Sequence, residues 1–130
     1  AGTLLTTELA VIPRVWGDPH FLRDALSSIV LNALEAAGPA GSVWLRTQAQ
    51  AHVPKRVVVE VRDDGPGMTA AFIRGSLFRP FRSTKTEGVG LGLYAARQIV
   101  RFHGGDIHVS SAPGKGTLVR VTLPGADEPT

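Results

Sequence analysis

The stretch VVVEVRDDGPGM (residues 57–68) decides the fold, because it joins an apolar run to two carboxylates and a pair of glycines. Its nearly continuous apolar content predicts a strand in the centre of a sheet. A plain turn needs at most one glycine or proline, whereas Gly65 and Gly67 here flank Pro66. Two glycines at the end of a strand indicate a tight surface loop or the close approach of another group. The stretch alone leaves both alternatives open.

The neighbouring segments predict the rest of the fold. In chain order we expect two short strands within residues 3–18, a helix over 19–37, strands over 42–51 and 56–63 joined by the turn HVPK, a short helix within 69–78, a long loop over 79–90, a helix over 91–105 and a closing hairpin over 106–124. Pro13 divides the opening segment, and Asp18 followed by Pro19 marks a helix start. This order predicts an α/β two-layer sandwich, with a mostly antiparallel mixed sheet and helices on one face.

Length and composition predict one folded domain. The chain has 130 residues, of which 43% are hydrophobic and 19% charged, and these fractions are typical of globular proteins. We assign residues 1–125 to the domain and residues 126–130 to a flexible tail. No apolar stretch approaches the roughly 20 residues of a membrane helix, and the absence of cysteine excludes disulfides and thiolate metal sites. We expect a cytoplasmic domain that is monomeric in isolation and makes no membrane contact, whether or not its parent protein is membrane-anchored.

The charge pattern favours a compact anion over nucleic acid as the ligand. The isoelectric point is about 10.0, but the net charge is only +3 and the arginines are scattered along the chain. Residues 65–86 contain four cations (Arg74, Arg79, Arg82 and Lys85) and no acid. A short basic segment beside a glycine loop suits phosphate better than a duplex, so no nucleic-acid partner is expected.

Two further motifs carry ligand chemistry. GVGLGL (residues 88–93) has its glycines at 88, 90 and 92, and it precedes a helix without following a strand. It therefore does not match the dinucleotide fingerprint, although glycines at a helix N-terminus can present N–H groups to phosphate. Asn32 lies within the apolar run VLNAL. Its amide is suited either to capping a neighbouring loop or to ligating Mg²⁺, which prefers oxygen ligands.

Together these segments resemble the ATP-binding (catalytic) domain of sensor histidine kinases, which has the Bergerat fold of the gyrase, heat-shock-90 and mismatch-repair ATPase superfamily. LNALEAA is similar to the N box, DDGPGM to the D-x-G-x-G box and LFRPFRSTK to the F box. EGVGLGLYAARQIVRFHGG is similar to the following glycine box, and GKGTLVRVTLP to the closing hairpin. The resemblance covers nearly the whole chain, with the boxes in the family's order and spacing.

The resemblance implies a nucleotide site for ATP and Mg²⁺. Asp63 would accept a hydrogen bond from the adenine amine, while Gly65 and Gly67 would let the backbone pass beneath the base. Asp64, at a variable position, is expected to be structural. Asn32 would ligate Mg²⁺, and Thr117 would lie near the nucleotide. The remaining nucleotide-binding residues implied are Thr84, Lys85, Gly88, Gly90, Leu91, Gly92 and Leu93.

The sequence departs from the family pattern at two positions. Ser28 stands where relatives commonly have an asparagine, or the catalytic glutamate of the ATP hydrolases, and its hydroxyl cannot act as a carboxylate base. Glu35 stands where many relatives have lysine, so one phosphate contact would be lost. No histidine of the chain matches the family's phosphoacceptor pattern, so all four (His20, His52, His103 and His108) are predicted to be structural. The phosphoacceptor is therefore expected outside this chain, and no catalytic residue is assigned within it.

The implied function is transfer of the ATP γ-phosphate to a histidine on a separate dimerisation domain, which then passes it to a response regulator. One alternative is a free-standing serine kinase of the anti-sigma type, a group that lacks the F box. The other is a nucleotide-binding module without catalytic activity.

Overall fold

The chain forms two layers, one of strands and one of helices. The computed structural model describes residues 2–50, 55–78 and 92–126. Its elements are β1 (Leu4–Leu9), α1 (Pro19–Ala37), β2 (Ser42–Gln50), β3 (Arg56–Asp63), α2 (Ala70–Gly75), α3 (Gly92–Phe102), β4 (Asp106–Ser111) and β5 (Thr117–Pro124). Within these ranges the strands form one sheet in the order β1-β2-β3-β5-β4. Strands β1 and β2 pair in parallel, and every other pair is antiparallel. The predicted sandwich with a mixed, mostly antiparallel sheet is confirmed.

The expected central strand is β3, which lies in the middle of the sheet between β2 and β5. Alternate side chains of β3, from Val57, Val59 and Val61, face the helical layer and join the core. Helices α1 and α3 pack against each other over this face. The buried core residues are Ala25, Ile29, Ala33, Val43, Val57, Val59, Val61, Ala96, Val100, Ile107, Val119, Val121 and Leu123. Asp63 is the last residue of β3 and continues this alternation, so its side chain faces the helical layer as well.

Helix α1 begins and ends where the sequence predicts. The Asp18 carboxylate accepts hydrogen bonds from the backbone N–H groups of His20 (2.9 Å) and Phe21 (3.2 Å), and Pro19 occupies the first turn. Such a cap satisfies donors that have no partner within the helix. At the other end Gly38 has φ of 73° and closes the helix, a conformation that glycine adopts without steric cost. Capping residues therefore fix both ends of the element that carries Asn32.

Helix α3 is attached to β4 by a carboxylate. Asp106 accepts hydrogen bonds from the side chains of Arg97 (3.1 Å) and Arg101 (3.2 Å) and from the backbone N–H of Ile107 (2.7 Å). Burial raises the pKa of Asp106, but these hydrogen bonds and the arginine charges outweigh burial and lower the pKa to about 2. This contact fixes the C-terminal half of α3 over the sheet.

One prediction about the opening segment is wrong. Residues 3–18 contain a single strand, β1, and residues 10–17 do not form a second one. Pro13 has no N–H to donate to a neighbouring strand, and beyond β1 the chain leaves the sheet edge for the start of α1. The structure adds that β1 pairs in parallel with β2, a pairing partner that the sequence did not specify. The turn at 51–54, the loop at 79–90 and nearly all of the tail lie outside the described residues.

Candidate nucleotide-binding site

The candidate site starts at Asp63, where β3 ends and the loop DGPGM (residues 64–68), called the glycine loop below, begins. The residue is only 4% exposed, which is rare for a carboxylate unless it is paired with another group. Its Oδ1 accepts a hydrogen bond from the Gly65 N–H at 2.9 Å. This bond closes a tight turn directly after the strand. The carboxylate is therefore held in one orientation inside the fold.

Burial disfavours the ionised form of the Asp63 carboxylate. Burial is the largest effect and raises the pKa of Asp63, and the nearby Asp64 carboxylate raises it further. Hydrogen bonds from the backbone N–H groups of Gly65 and Thr117 act in the opposite direction without cancelling the increase. Perturbed carboxylates at the end of a strand mark candidate functional sites. Asp64 differs from Asp63, because it is exposed and its Oδ1 accepts from the Ser42 N–H at 2.9 Å, as expected of a structural residue.

The two glycines of the loop are required by the chain's own packing. A Cβ on Gly65 would lie 2.6 Å from the Ala36 carbonyl oxygen in the last turn of α1. Gly67 has φ of 75°, and a Cβ there would collide with the Ala112 carbonyl. The loop is therefore wedged between the end of α1 and the β4–β5 turn. Its second role, predicted above, of passing beneath a base stays a prediction.

Asn32 and the start of α3 lie together in the helical layer. Asn32 is half-buried on α1, and a Cβ on Gly92 would lie 3.2 Å from its Nδ2 atom and 3.6 Å from its Oδ1. Leu93 packs against the core beside them. Ala36, which contacts the Asp63 loop, is one helical turn beyond Asn32 and lies on the same side of α1. Helix α1 thus connects the amide of Asn32 to the Asp63 loop.

Thr117 lies directly opposite Asp63 in the sheet. The two residues are paired in the β3–β5 register, so their side chains share one face of the sheet. Thr117 is 9% exposed, and its Oγ1 lies 2.9 Å from the hydroxyl oxygen of Ser111 on β4. Ser111 also accepts from the Met68 N–H at 2.8 Å. Ser111 could not be recognised from the sequence, because a serine in a strand gives no signal until the register places it beside Thr117.

The structure brings together seven of the twelve predicted nucleotide-binding residues in two neighbouring groups. Asp63, Gly65, Gly67 and Thr117 meet at the end of the sheet, and Asn32, Gly92 and Leu93 meet where α1 and α3 adjoin. Thr84, Lys85, Gly88, Gly90 and Leu91 lie outside the described residues. In the part of the chain that the structure describes, no cluster of three or more histidine, cysteine or acidic side chains could hold a metal ion. None of the described helices is both long and apolar enough to cross a membrane.

Comparison with known proteins agrees with a nucleotide-binding class. Residues 17–127 match the family model described as "Histidine kinase-, DNA gyrase B-, and HSP90-like ATPase", and the chain belongs to this family. Sensor histidine kinase ZraS of Klebsiella oxytoca is 39% identical over 122 residues, which are 94% of this chain and 26% of ZraS. The chain thus spans about a quarter of that relative. As family membership implies, it is an ATP-binding domain, of the type found in histidine kinases.

Solved structures have the same fold. The mycobacterial sensor histidine kinase MprB matches with a TM-score of 0.79 and 29% identity, over 95% of this chain and 84% of the MprB chain. Full-length ShkA in complex with AMPPNP matches with a TM-score of 0.80 and 28% identity, over 99% of this chain and 27% of the ShkA chain. The Bergerat-type architecture expected from the sequence is therefore confirmed.

Proposed function

We propose that this domain binds MgATP and donates the γ-phosphate to a histidine on a separate dimerisation domain of the same kinase, for relay to a response regulator. The observation that carries the proposal is the buried, oriented Asp63 carboxylate in a chain of this family. A carboxylate accepts hydrogen bonds and donates none. It therefore suits the exocyclic amine of adenine and repels the oxo group of guanine.

Asn32 is the proposed protein ligand of Mg²⁺. Its amide supplies an oxygen, the donor that Mg²⁺ prefers, and the ion commonly takes few protein ligands besides water and phosphate oxygens. The position fits, because Asn32 adjoins Gly92 at the N-terminus of α3, where backbone N–H groups favour phosphate. A bound Mg²⁺ would neutralise charge on the triphosphate.

The remaining chemistry is positioning and charge neutralisation, which dominate phosphoryl transfer. The predicted contacts of Lys85 and of the glycines at 88 and 90 would add to those at Gly92. Ser28, half-buried on α1, offers no carboxylate to activate water, which favours transfer to a protein acceptor over hydrolysis. We place the domain in the cytoplasm, where ATP and response regulators are available.

The test is a phosphotransfer assay. The domain is mixed with radiolabelled ATP, Mg²⁺ and the dimerisation domain of its parent kinase. Asp63→Asn is the control, and it should transfer less when ATP is held near the Kd of the wild-type domain. Acid-labile phosphate on histidine is expected. Acid-stable phosphate on serine would support the anti-sigma-type kinase instead. ATP binding without any transfer would favour the non-catalytic module. The kinase relatives, such as ZraS, do not favour either alternative.

A further inference from the structure

Ser111 forms the centre of a hydrogen-bond cluster that joins three segments of the site. Its Oγ accepts from the Met68 N–H at 2.8 Å and donates to the Gly116 carbonyl oxygen at 2.8 Å. It also lies 2.9 Å from Thr117 Oγ1, a bond in which either oxygen could be the donor by geometry alone. The glycine loop, the β4–β5 turn and the residue opposite Asp63 are thus all attached to one hydroxyl group.

The donor in the Ser111–Thr117 bond follows from counting protons. A hydroxyl group has one proton and two lone pairs. Gly116 is buried, and its carbonyl can only accept, so the single proton of Ser111 is used there. Without that proton, two oxygen atoms would face each other at 2.8 Å. Thr117 must therefore donate to Ser111, whose hydroxyl is then saturated with one bond donated and two accepted.

The consequence concerns what Thr117 can offer to a ligand. With its proton committed to Ser111, its oxygen retains only lone pairs. Asp63, opposite Thr117 in the register, is likewise an acceptor when ionised. The two side chains share one face at the end of the sheet. A purine with an amine at its 6-position has two N–H groups for two such acceptors, whereas an oxo group at that position has none.

We propose that Ser111 is a positioning residue for base selection, which directs the Thr117 proton away from the base so that the site presents acceptors alone. This inference rests on the proposed function, because it assigns part of the purine specificity of the same ATP site to a residue outside the sequence motifs. Ser111 acts through Thr117 and through the glycine loop, and does not itself touch the base.

The second attachment holds the glycine loop against the hairpin. Besides the bond from Met68 to Ser111, the Gly114 N–H donates to the Pro66 carbonyl at 2.7 Å. Loss of Ser111 would therefore also loosen the loop, and this effect should weaken all nucleotides alike. A ratio of affinities separates the two roles, because loosening alone leaves the ratio unchanged.

The experiment compares ATP with inosine triphosphate, which has an oxygen in place of the amine, by calorimetry on the isolated domain. In Ser111→Ala the Thr117 hydroxyl can turn and donate to that oxygen. We expect the preference for ATP to fall by about fivefold, the effect of one neutral hydrogen bond. Ser110→Ala is the matched control, since Ser110 is an exposed neighbour on the opposite face, and should leave the preference unchanged. Ser111→Thr keeps a hydroxyl group at this position and should therefore keep the wild-type preference for ATP.

Equal weakening of both nucleotides in Ser111→Ala, or no change in either, would overturn the proposal. If that variant does not fold, Thr117→Val answers the same question, because it should weaken ATP about fivefold and inosine triphosphate hardly at all; equal losses would again overturn it. The proposed function fails separately. A domain that binds ATP but phosphorylates no histidine contradicts the kinase and leaves the role of Ser111 intact. An unchanged ratio of the affinities for ATP and inosine triphosphate contradicts the role of Ser111 and leaves the proposed kinase function intact.

Discussion

Replacing the Asp63 carboxylate by an amide tests the centre of the site with the smallest change of shape. Asp63→Asn keeps an oxygen that can accept from the Gly65 N–H, the bond seen at 2.9 Å. It removes the negative charge and places an NH₂ group at the other position. An NH₂ group facing the amine of adenine cannot accept a hydrogen bond. The variant therefore removes base recognition and retains the local turn.

The expected loss of ATP affinity is about 1.5–3 kcal/mol, the contribution of a hydrogen bond to a charged group. This corresponds to an increase in Kd of about 10- to 150-fold. Because Asp63 is almost fully buried, water cannot replace the lost partner, and the upper part of the range applies. Calorimetry with ATP on the wild-type and variant domains measures the change. Asp64→Asn is the matched control, since Asp64 is exposed and bonded to Ser42, and should bind ATP as the wild type does.

The same variant should not destabilise the domain in the absence of nucleotide. The pKa of Asp63 is raised above 3.8, chiefly by burial, so the folded state holds the proton more tightly than the unfolded state. Protonation of Asp63 therefore stabilises the folded state below pH 3.8, and this stabilisation is lost as the pH rises through the pKa that Asp63 has in the folded state. At neutral pH the ionised carboxylate opposes folding, and Asp63→Asn should melt no lower than the wild type. Unchanged ATP affinity would refute the role in recognition, and a lower melting temperature would refute the dominance of burial.

Three further predictions concern the metal, the acid stability and a histidine tautomer. Asn32→Ala should weaken binding of MgATP more than binding of metal-free ATP, as measured by calorimetry with and without Mg²⁺; the exposed neighbour Leu31→Ala is the control, and equal losses would show a structural asparagine. Because the pKa of Asp106 is lowered to about 2, its stabilising contribution is present above pH 3.8 and should be lost as the pH falls towards about 2. Denaturant titrations across this range should show a smaller decline for Asp106→Asn, and parallel curves for both proteins would contradict the role of the carboxylate. His103 Nε2 accepts from the Asp18 N–H at 3.1 Å while Nδ1 lies 2.7 Å from the Ile99 carbonyl, so nuclear magnetic resonance should find the neutral ring protonated at Nδ1; a proton on Nε2 would contradict this arrangement.

Local chemistry let the sequence determine most of the elements. The start of α1 at Asp18-Pro19 and its end at residue 37 are both predicted correctly, because capping depends on residues within one helical turn. The nearly continuous apolar run of β3 predicted its central place in the sheet. The resemblance carried by the sequence motifs also implied an ATP-binding domain of the histidine kinase type, which the family match confirms. The individual assignments to nucleotide contacts remain predictions.

Long-range pairing decided what the sequence could not. Nothing local specifies that β1 pairs in parallel with β2, or that the chain beyond β1 leaves the sheet, because strand partners are chosen by packing between distant segments. The register of β3, β4 and β5 is the decisive case. It places Thr117 opposite both Asp63 and Ser111, and so joins residues from three strands in one cluster. The serine has no motif of its own, and its role arises only from the hydroxyl, amide and carbonyl groups that the tertiary fold gathers around it.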